Sequence, residues 1–324
     1  MDTGKAERIM QIEERVMDSQ ERIGFLLRSL YAGYGYSRYR MGKFEEYDLY
    51  SRNKDFLFSE GVITFTDTNG RLMALKPDVT LSIVKNTRDI PGTLRKMYYH
   101  ENVYRVASVE DGFREMTQVG VECMGEIDSA CIAETLMLAA ESLRLCSEDY
   151  VLEISHLGML GAFVDAIASD EKMREELLQC AVEKNLHGIS RICADYGKAE
   201  SAGEPLRQLL SLYGSPKSVM PKIRRLAEEN GAAEYAEELA RAAASFAGKE
   251  AENKIRIDFS ASGDVKYYNG IAFKGFISGI PDSVLSGGQY DRLMRRMGRR
   301  DRAVGFAVFL NKLERLAEGG KTDD

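Results

Sequence analysis

Two strand-like runs separated by a turn constrain this chain most. "KMYYHENVYRV", from Lys96, and "FREMTQVGVECMG", from Phe113 to Gly125, flank the turn "SVEDG". In the second run Val119, Val121 and Cys123 fall on one face, and Gln118, Gly120 and Glu122 fall on the other, because side chains two apart on a strand point the same way. Runs of this length joined around "SVEDG" predict an antiparallel pair with a long loop. The other face offers an amide, a gap and a carboxylate. Taken alone, that row reads equally well as a solvated sheet face or as one wall of a site.

The neighbouring segments extend the pattern. Residues 5–33 carry Ile9, Ile12, Val16, Ile23, Leu26, Leu27 and Leu30 at helical spacing and stop at Gly33. Val62 to Leu75 reads as a hairpin around Asn69-Gly70. "KPDVTLSIVKNTR" starts a helix with Pro77 in its first turn, and "DSACIAETLMLAAESLRLC" is a helix that Asp128 or Ser129 can cap. "YVLEISHLGML" reads as a strand. From about 159 to 250 the chain turns helical and rich in Ala, Leu, Glu and Lys, as an inserted subdomain would. Strand patterns return in "NKIRIDFSAS", in "KYYNGIAFKGFI" around a second turn at Asn269-Gly270, and in "RAVGFAVFL"; "NKLERLAEG" reads as a last helix. Hairpins and adjacent strands favour an α+β fold, an antiparallel sheet flanked by helices, over a doubly wound parallel sheet.

Composition removes several function classes. The net charge of -7 over 324 residues argues against general nucleic-acid binding, and the basic run Arg292 to Arg300 reads first as a solvated helix end. Five cysteines without a CxxC pair predict reduced, buried thiols in a cytoplasmic protein. His100, His156 and His187 are too scattered for a zinc site. No apolar signal core and no run of about 20 apolar residues is found, so no membrane span is expected. Neither GxGxxG after a strand nor GxxxxGK[ST] occurs, and no cofactor or metal is expected.

Four segments concentrate polar groups on otherwise apolar strands: "LKPDVTL" with Asp78 and Thr80; the turn and strands with Arg105, Arg114, Gln118 and Glu122; "DVKYYNGIAFKGF" with Tyr267 and Tyr268; and "SGGQYDRLM" with Tyr290. Singly, "YYNG" reads as a hairpin with core aromatics and "GGQYD" as an ordinary turn. Together, carboxylates and an amide suit an amine or imidazolium, tyrosine hydroxyls orient a polar ring, and Arg105 or Arg114 suits a carboxylate or phosphate. The sum describes a small amino acid or an aminoacyl phosphate.

These segments, in this order, resemble the catalytic core of class II aminoacyl-tRNA synthetases, and specifically the histidyl-tRNA synthetase family. "LKPDVT" is similar to that family's "LRPEGT", "DVKYYNGIAF" to "GLDYYTGTVF", "SGGQYDRLM" to "GGGRYDGL", and "AVGFAVFLNKL" to "GFAIGIERL". The likeness spans nearly the whole chain, 1–324, with the helical insertion at about 159–250. It implies a histidine pocket of Asp78, Thr80, Gln118, Glu122, Tyr267, Tyr268 and Tyr290, with Arg105 or Arg114 for the carboxylate.

The departures fall on the ATP-handling positions. Lys312 stands for the arginine of the final motif, and Asn311 for the adjoining glutamate. Ala107 replaces the acidic residue of Arg-x-Glu, Gly263 an arginine, and Gly42 a proline. The chain ends shortly after the last motif, so an anticodon-binding domain is not expected. A chain that keeps the amino-acid pocket and lacks these groups resembles the regulatory-subunit branch of the family. That branch pairs with the short-form catalytic subunit of ATP phosphoribosyltransferase in histidine biosynthesis. The resemblance implies a noncatalytic protein with histidine as effector, a homodimer within a hetero-oligomer, and no nucleic-acid or membrane partner. The alternative is a truncated or divergent synthetase-like enzyme that activates an amino acid.

Overall fold

The computed structural model describes residues 16–57, 61–108, 112–259 and 267–313. In chain order the elements are α1 (Ser19–Gly33), β1 (Ser37–Arg38), β2 (Phe44–Glu46), α2 (Tyr47–Ser51), β3 (Thr64–Thr66), β4 (Leu72–Leu75), α3 (Thr80–Asn86), β5 (Arg95–Ser108), β6 (Gly112–Gly125), α4 (Ser129–Cys146) and β7 (Tyr150–His156). Helices α5 (Leu157–Asp165), α6 (Glu171–Val182), α7 (Leu186–Asp195) and α8 (Glu204–Ser211) follow. The chain continues through β8 (Tyr213–Gly214), α9 (Pro216–Glu229), α10 (Ala233–Ala244), β9 (Ile255–Asp258), β10 (Ile271–Ile277), β11 (Leu285–Gln289), α11 (Asp291–Arg296) and β12 (Arg302–Phe309).

Nine strands form one sheet in the order β1-β5-β6-β12-β11-β10-β7-β9-β8, antiparallel except where β1 meets β5 and β7 meets β9. The small strands pair as β2-β4-β3. The expected antiparallel pair is β5–β6, with Tyr99 opposite Gly120 and Arg105 opposite Arg114. Because side chains alternate, one face of the sheet carries Val119, Val121, Phe306 and Val308, all buried. Helices α1 and α4 cover this face. Tyr31 of α1 meets Phe306 edge-on at 5.9 Å, and Leu143 of α4 fills the space left by Gly275, where a Cβ would lie 2.6 Å from it. The opposite face is left to the polar row. Six helices, α5 to α10, lie in the connection between the parallel neighbours β7 and β9.

Several local readings change. The helical pattern over 5–33 is broken at Asp18, which accepts from Glu21 N at 2.8 Å while Glu21 returns to Asp18 N at 3.1 Å, a capping box that starts α1 afresh; residues 1–15 lie outside the described residues. Helix α3 begins at Thr80, later than the Pro77 start, because Asp78 accepts from Leu81 N at 2.8 Å as a turn residue. The strand read over "YVLEISHLGML" ends at His156, whose Nδ1 accepts from Met159 N at 3.2 Å and caps α5. Asn269-Gly270 is not a hairpin turn. Asn269 instead accepts from Arg292 N at 3.0 Å and donates its N–H to the Gln289 carbonyl at 2.9 Å, which fixes Tyr267 and Tyr268 in the loop ahead of β10. Gly287 and Gly288, expected in a turn, lie inside β11. The last helix begins as a single 3-10 turn at Leu310–Lys312, and its remainder lies outside the described residues. Asp128 does cap α4, accepting from Cys131 N at 2.8 Å, and the five cysteines are unpaired thiols.

The basic run from 292 to 300 divides its labour. Arg299 is largely buried and donates Nη1 to the Val84 carbonyl (2.8 Å), the Thr87 carbonyl (3.1 Å) and Thr87 Oγ1 (3.1 Å), while Nε binds Asp89. It therefore satisfies carbonyls at the end of α3 from across the fold. Arg292, Arg295 and Arg296 are exposed. Replacing Arg299 by Ala strips these partners together and is expected to lower the unfolding free energy by about 3 kcal/mol, with Arg299→Lys recovering part of it. Urea denaturation of the three proteins measures both effects; an Arg299→Ala midpoint equal to wild type would refute the clasp.

Candidate functional site

The polar face of β6 closes over one pocket. Strand register sets its walls. Glu122 stands opposite Gly305 of β12, Gly120 opposite Ala307, and Gly305 opposite Gly288 of β11. Along β12 the site face carries Ala303, Gly305 and Ala307, whereas Val304, Phe306 and Val308 point to the helices. Small residues here give Glu122 room: a Cβ on Gly305 would lie 2.0 Å from Glu122 Oε2, and one on Gly120 would lie 2.5 Å from the Tyr99 hydroxyl. The pocket holds about 370 Å³ of non-protein space, open mouth included.

Glu122 is the hub. It is 2 % exposed. Thr80, at the start of α3, donates to Oε1 at 2.6 Å, and Tyr290, just after β11, donates to Oε2 at 2.5 Å. Burial raises its pKa from 4.5 to about 8; the two hydroxyl donors pull it down and the nearby Asp78 pushes it up. Asp78 is also raised, chiefly by burial, while its bond from Leu81 N and the charge of Arg105 oppose the shift. Tyr267 packs against Tyr268 (ring centroids 4.9 Å apart) and Tyr290 (6.0 Å), forming an aromatic wall.

Of the residues expected at the site, Asp78, Thr80, Gln118, Glu122, Tyr267, Tyr268 and Tyr290 all line this one pocket. Arg105 and Arg114 do not. Arg105 donates Nε to the Pro77 carbonyl at 3.1 Å, bracing the turn that carries Asp78, and Arg114 is exposed near the outer end of β6. Tyr99, Ser286, Gly305, Ala307 and Phe309 also line the pocket, as does Phe306, whose ring packs on Tyr31 while its carbonyl lies beside Gly120, and these went unread in the sequence. The alternation of small and large residues in "RAVGFAVF" was the available signal for the β12 members, and Tyr99 enters through the β5–β6 register, which sets it opposite Gly120. Behind the pocket a buried ion pair, Lys76 Nζ to Glu101 Oε2 at 2.8 Å, supports the edge where Glu101 faces Gln118. Among the described residues no cluster of His, Cys, Asp or Glu could hold a metal ion, and no helix is long and apolar enough to cross a membrane.

A broad groove adjoins the pocket and shares Tyr267 and Tyr268 with it. Its lining includes Arg292, Arg295 and Arg296 of α11 and Glu171, Arg174, Glu175 and Glu176 of α6.

The raised Glu122 gives a signed pH dependence. Between its unfolded pKa near 4.5 and its folded value of about 8, the native state keeps a proton that the unfolded chain releases. Its contribution to stability therefore falls as pH rises through that window and levels off above it. Glu122→Gln is expected to remove this slope, so its thermal midpoint gains on wild type at about pH 8.5 relative to about pH 5. Melting curves at both pH values measure it; parallel pH profiles of the two proteins would contradict the assignment.

The histidyl-tRNA synthetase family model matches residues 9–313. Among curated relatives, the ATP phosphoribosyltransferase regulatory subunit of Caldanaerobacter subterraneus subsp. tengcongensis is 29% identical over 306 residues, covering 90% of this chain and 78% of its own. The protein of the same name in Clostridium kluyveri is 29% identical over 291 residues, with 87% and 74% covered. The fold is that of an ATP phosphoribosyltransferase regulatory subunit/histidyl-tRNA synthetase from Bacillus halodurans C (TM-score 0.81, 23% identity, 92% and 79% covered). A HisG:HisZ ATP phosphoribosyl transferase complex from Thermotoga maritima shares it as well (TM-score 0.70, 18% identity, 89% and 96% covered). The expected α+β fold of class II synthetase type is thereby established, and the chain belongs to the histidyl-tRNA synthetase family.

Proposed function

We propose that this chain is a noncatalytic regulatory subunit of ATP phosphoribosyltransferase, a glycosyltransferase of histidine biosynthesis, working in the cytoplasm. It switches on the short-form catalytic subunit and confers feedback inhibition by histidine, entering a hetero-oligomer as a homodimer. The curated relatives carry this name over most of the chain's length, and a solved complex named for both subunits shares the fold. The helical segment 159–250 is an inserted subdomain in this reading.

One observation separates this reading from amino-acid activation. The pocket that would take histidine is built, while the residue standing at the ATP-holding position is engaged elsewhere. Lys312 Nζ donates to the Ser283 carbonyl at 2.9 Å and lies over the Phe309 ring at 5.1 Å. A lysine also lacks the planar fork that an arginine offers to phosphate. Gly263, at another such position, lies outside the described residues.

In the pocket, Asp78 and Thr80 hold the α-amino group, Gln118 and Glu122 meet the amine or the imidazole, and Tyr267, Tyr268 and Tyr290 shape the ring's slot. A cation binds the ionised form of Glu122, so binding releases a proton at neutral pH. Histidine then biases one arrangement of the assembly by no more than its difference in affinity for the two.

The test is reconstitution. Mixed with a short-form catalytic subunit, the protein raises phosphoribosyltransferase activity, and histidine lowers it again. Gln118→Ala and Glu122→Ala each weaken histidine inhibition about tenfold or more and leave complex formation intact. Full sensitivity in both variants would refute the pocket assignment. Histidine-dependent exchange of pyrophosphate into ATP by the protein alone would refute the noncatalytic reading.

A further inference from the structure

Helix α11 carries charge that the chain does not neutralise. Arg292, Arg295 and Arg296 stand three and four apart, so they share one side of a helix of 6 residues. All three are exposed and line the groove beside the pocket. Among the described residues, none of their guanidinium groups makes an ion pair or a hydrogen bond; only the backbone N–H of Arg292 is engaged, by Asn269. Like charges at this spacing repel one another, and they do so in a chain whose net charge is -7. Most acids of the groove are committed elsewhere. Arg174 holds Asp165 at 2.7 Å and Glu171 at 3.4 Å, and Lys172 lies 3.9 Å from Glu176. Asp55 and Glu175 remain, on two separate elements.

Size and lining narrow the occupant. The groove holds about 3110 Å³ of non-protein space, open mouth included, more than a small-molecule ligand fills. Phe56, Leu57, Leu157 and Leu178 give it an apolar floor, and Tyr235 joins Tyr267 and Tyr268 along it. Tyrosine and arginine beside apolar side chains are the composition of a protein–protein contact. A nucleic-acid strand is the other polyanion of this size. It brings a phosphate with every nucleotide, and Asp55, Glu175 and the remaining acids of the groove oppose it as like charge. A polypeptide can set carboxylates at α11 and apolar groups on the floor, and leave the acidic stretch without charge.

We propose that the groove is the docking surface for an acidic segment of the catalytic partner, whose carboxylates pair with Arg292, Arg295 and Arg296 while its apolar side chains cover Leu157, Leu178 and Tyr235. This rests on the reading of the chain as a regulatory subunit. The planar guanidinium fork binds a carboxylate through two parallel hydrogen bonds, which fixes orientation as well as charge. Exposed charges of this kind act on encounter and on salt dependence more than on the lifetime of the complex.

The test measures affinity between the full chain and a short-form catalytic subunit, at several salt concentrations, for three combined variants. Arg292→Glu, Arg295→Glu and Arg296→Glu together are expected to weaken binding about tenfold or more at about 0.1 M salt. Replacing the same three by Gln is expected to weaken it less and to flatten the fall in affinity with salt, and it serves in place of the reversed triple if that protein does not fold. Arg52→Glu, Lys217→Glu and Arg225→Glu together make the same change in net charge on exposed side chains outside the groove and are expected to bind as wild type does. Wild-type affinity in both groove triples, or an equal loss in the control triple, overturns the proposal. Saturable binding of single-stranded RNA by wild type that the groove triples lose also overturns it, by making the surface a nucleic-acid site. If the wild-type protein neither binds nor activates the catalytic subunit, the regulatory reading itself fails, and the inference with it.

Discussion

The register of β6 against β12 is the constraint on which the rest depends. It sets Gly305 opposite Glu122, and the missing side chain on one strand is the space that the carboxylate occupies on the other. A slip of one residue would bring Val304 or Phe306 to that position and turn the valines of β6 out of the core. Packing under helices α1 and α4 therefore holds the register. One face of the strand is fixed by burial, and the other inherits a site. Core packing and the pocket lining are thus written on alternate residues of the same segments.

Glu122 shows how the two demands are reconciled. A carboxylate so deeply buried is tolerable because Thr80 and Tyr290 satisfy both of its oxygens. These donors come from α3 and from the end of β11, so the same bonds draw separate elements to the middle of the sheet. Arg299 does a related task at the far end of α3, where it collects carbonyls that the short helix leaves open. The helix that presents Thr80 is thereby anchored at both ends by side chains remote in sequence.

Much of this was legible in the chain. The period-2 rows of β5 and β6 fixed the central pair, and the clustering of Asp78, Gln118, Glu122 and the tyrosines followed from their likeness to ordered family motifs. Backbone competition was not legible. His156, Asp18 and Asp78 cap or turn the chain where periodicity alone ran on, because a side-chain acceptor can outbid the continuing pattern. Asn269-Gly270 has the composition of a hairpin turn, yet Asn269 is claimed by Arg292 and Gln289, partners about twenty residues away in sequence. Arg105 shows the same competition. Its charge suits an anion, and its Nε is held by the Pro77 carbonyl, a partner that the sequence pattern does not announce.

Tyr267 and Tyr268 belong to two compartments at once, the narrow pocket and the wide groove flanked by α11 and α6. A movement of either ring would alter the walls of both compartments. Any occupant of the groove that moves these rings changes the fit of the pocket's ligand. By reciprocity the pocket's ligand changes the groove occupant's affinity by the same factor. The two rings are the place where the interior of the sheet meets the protein's surface groove.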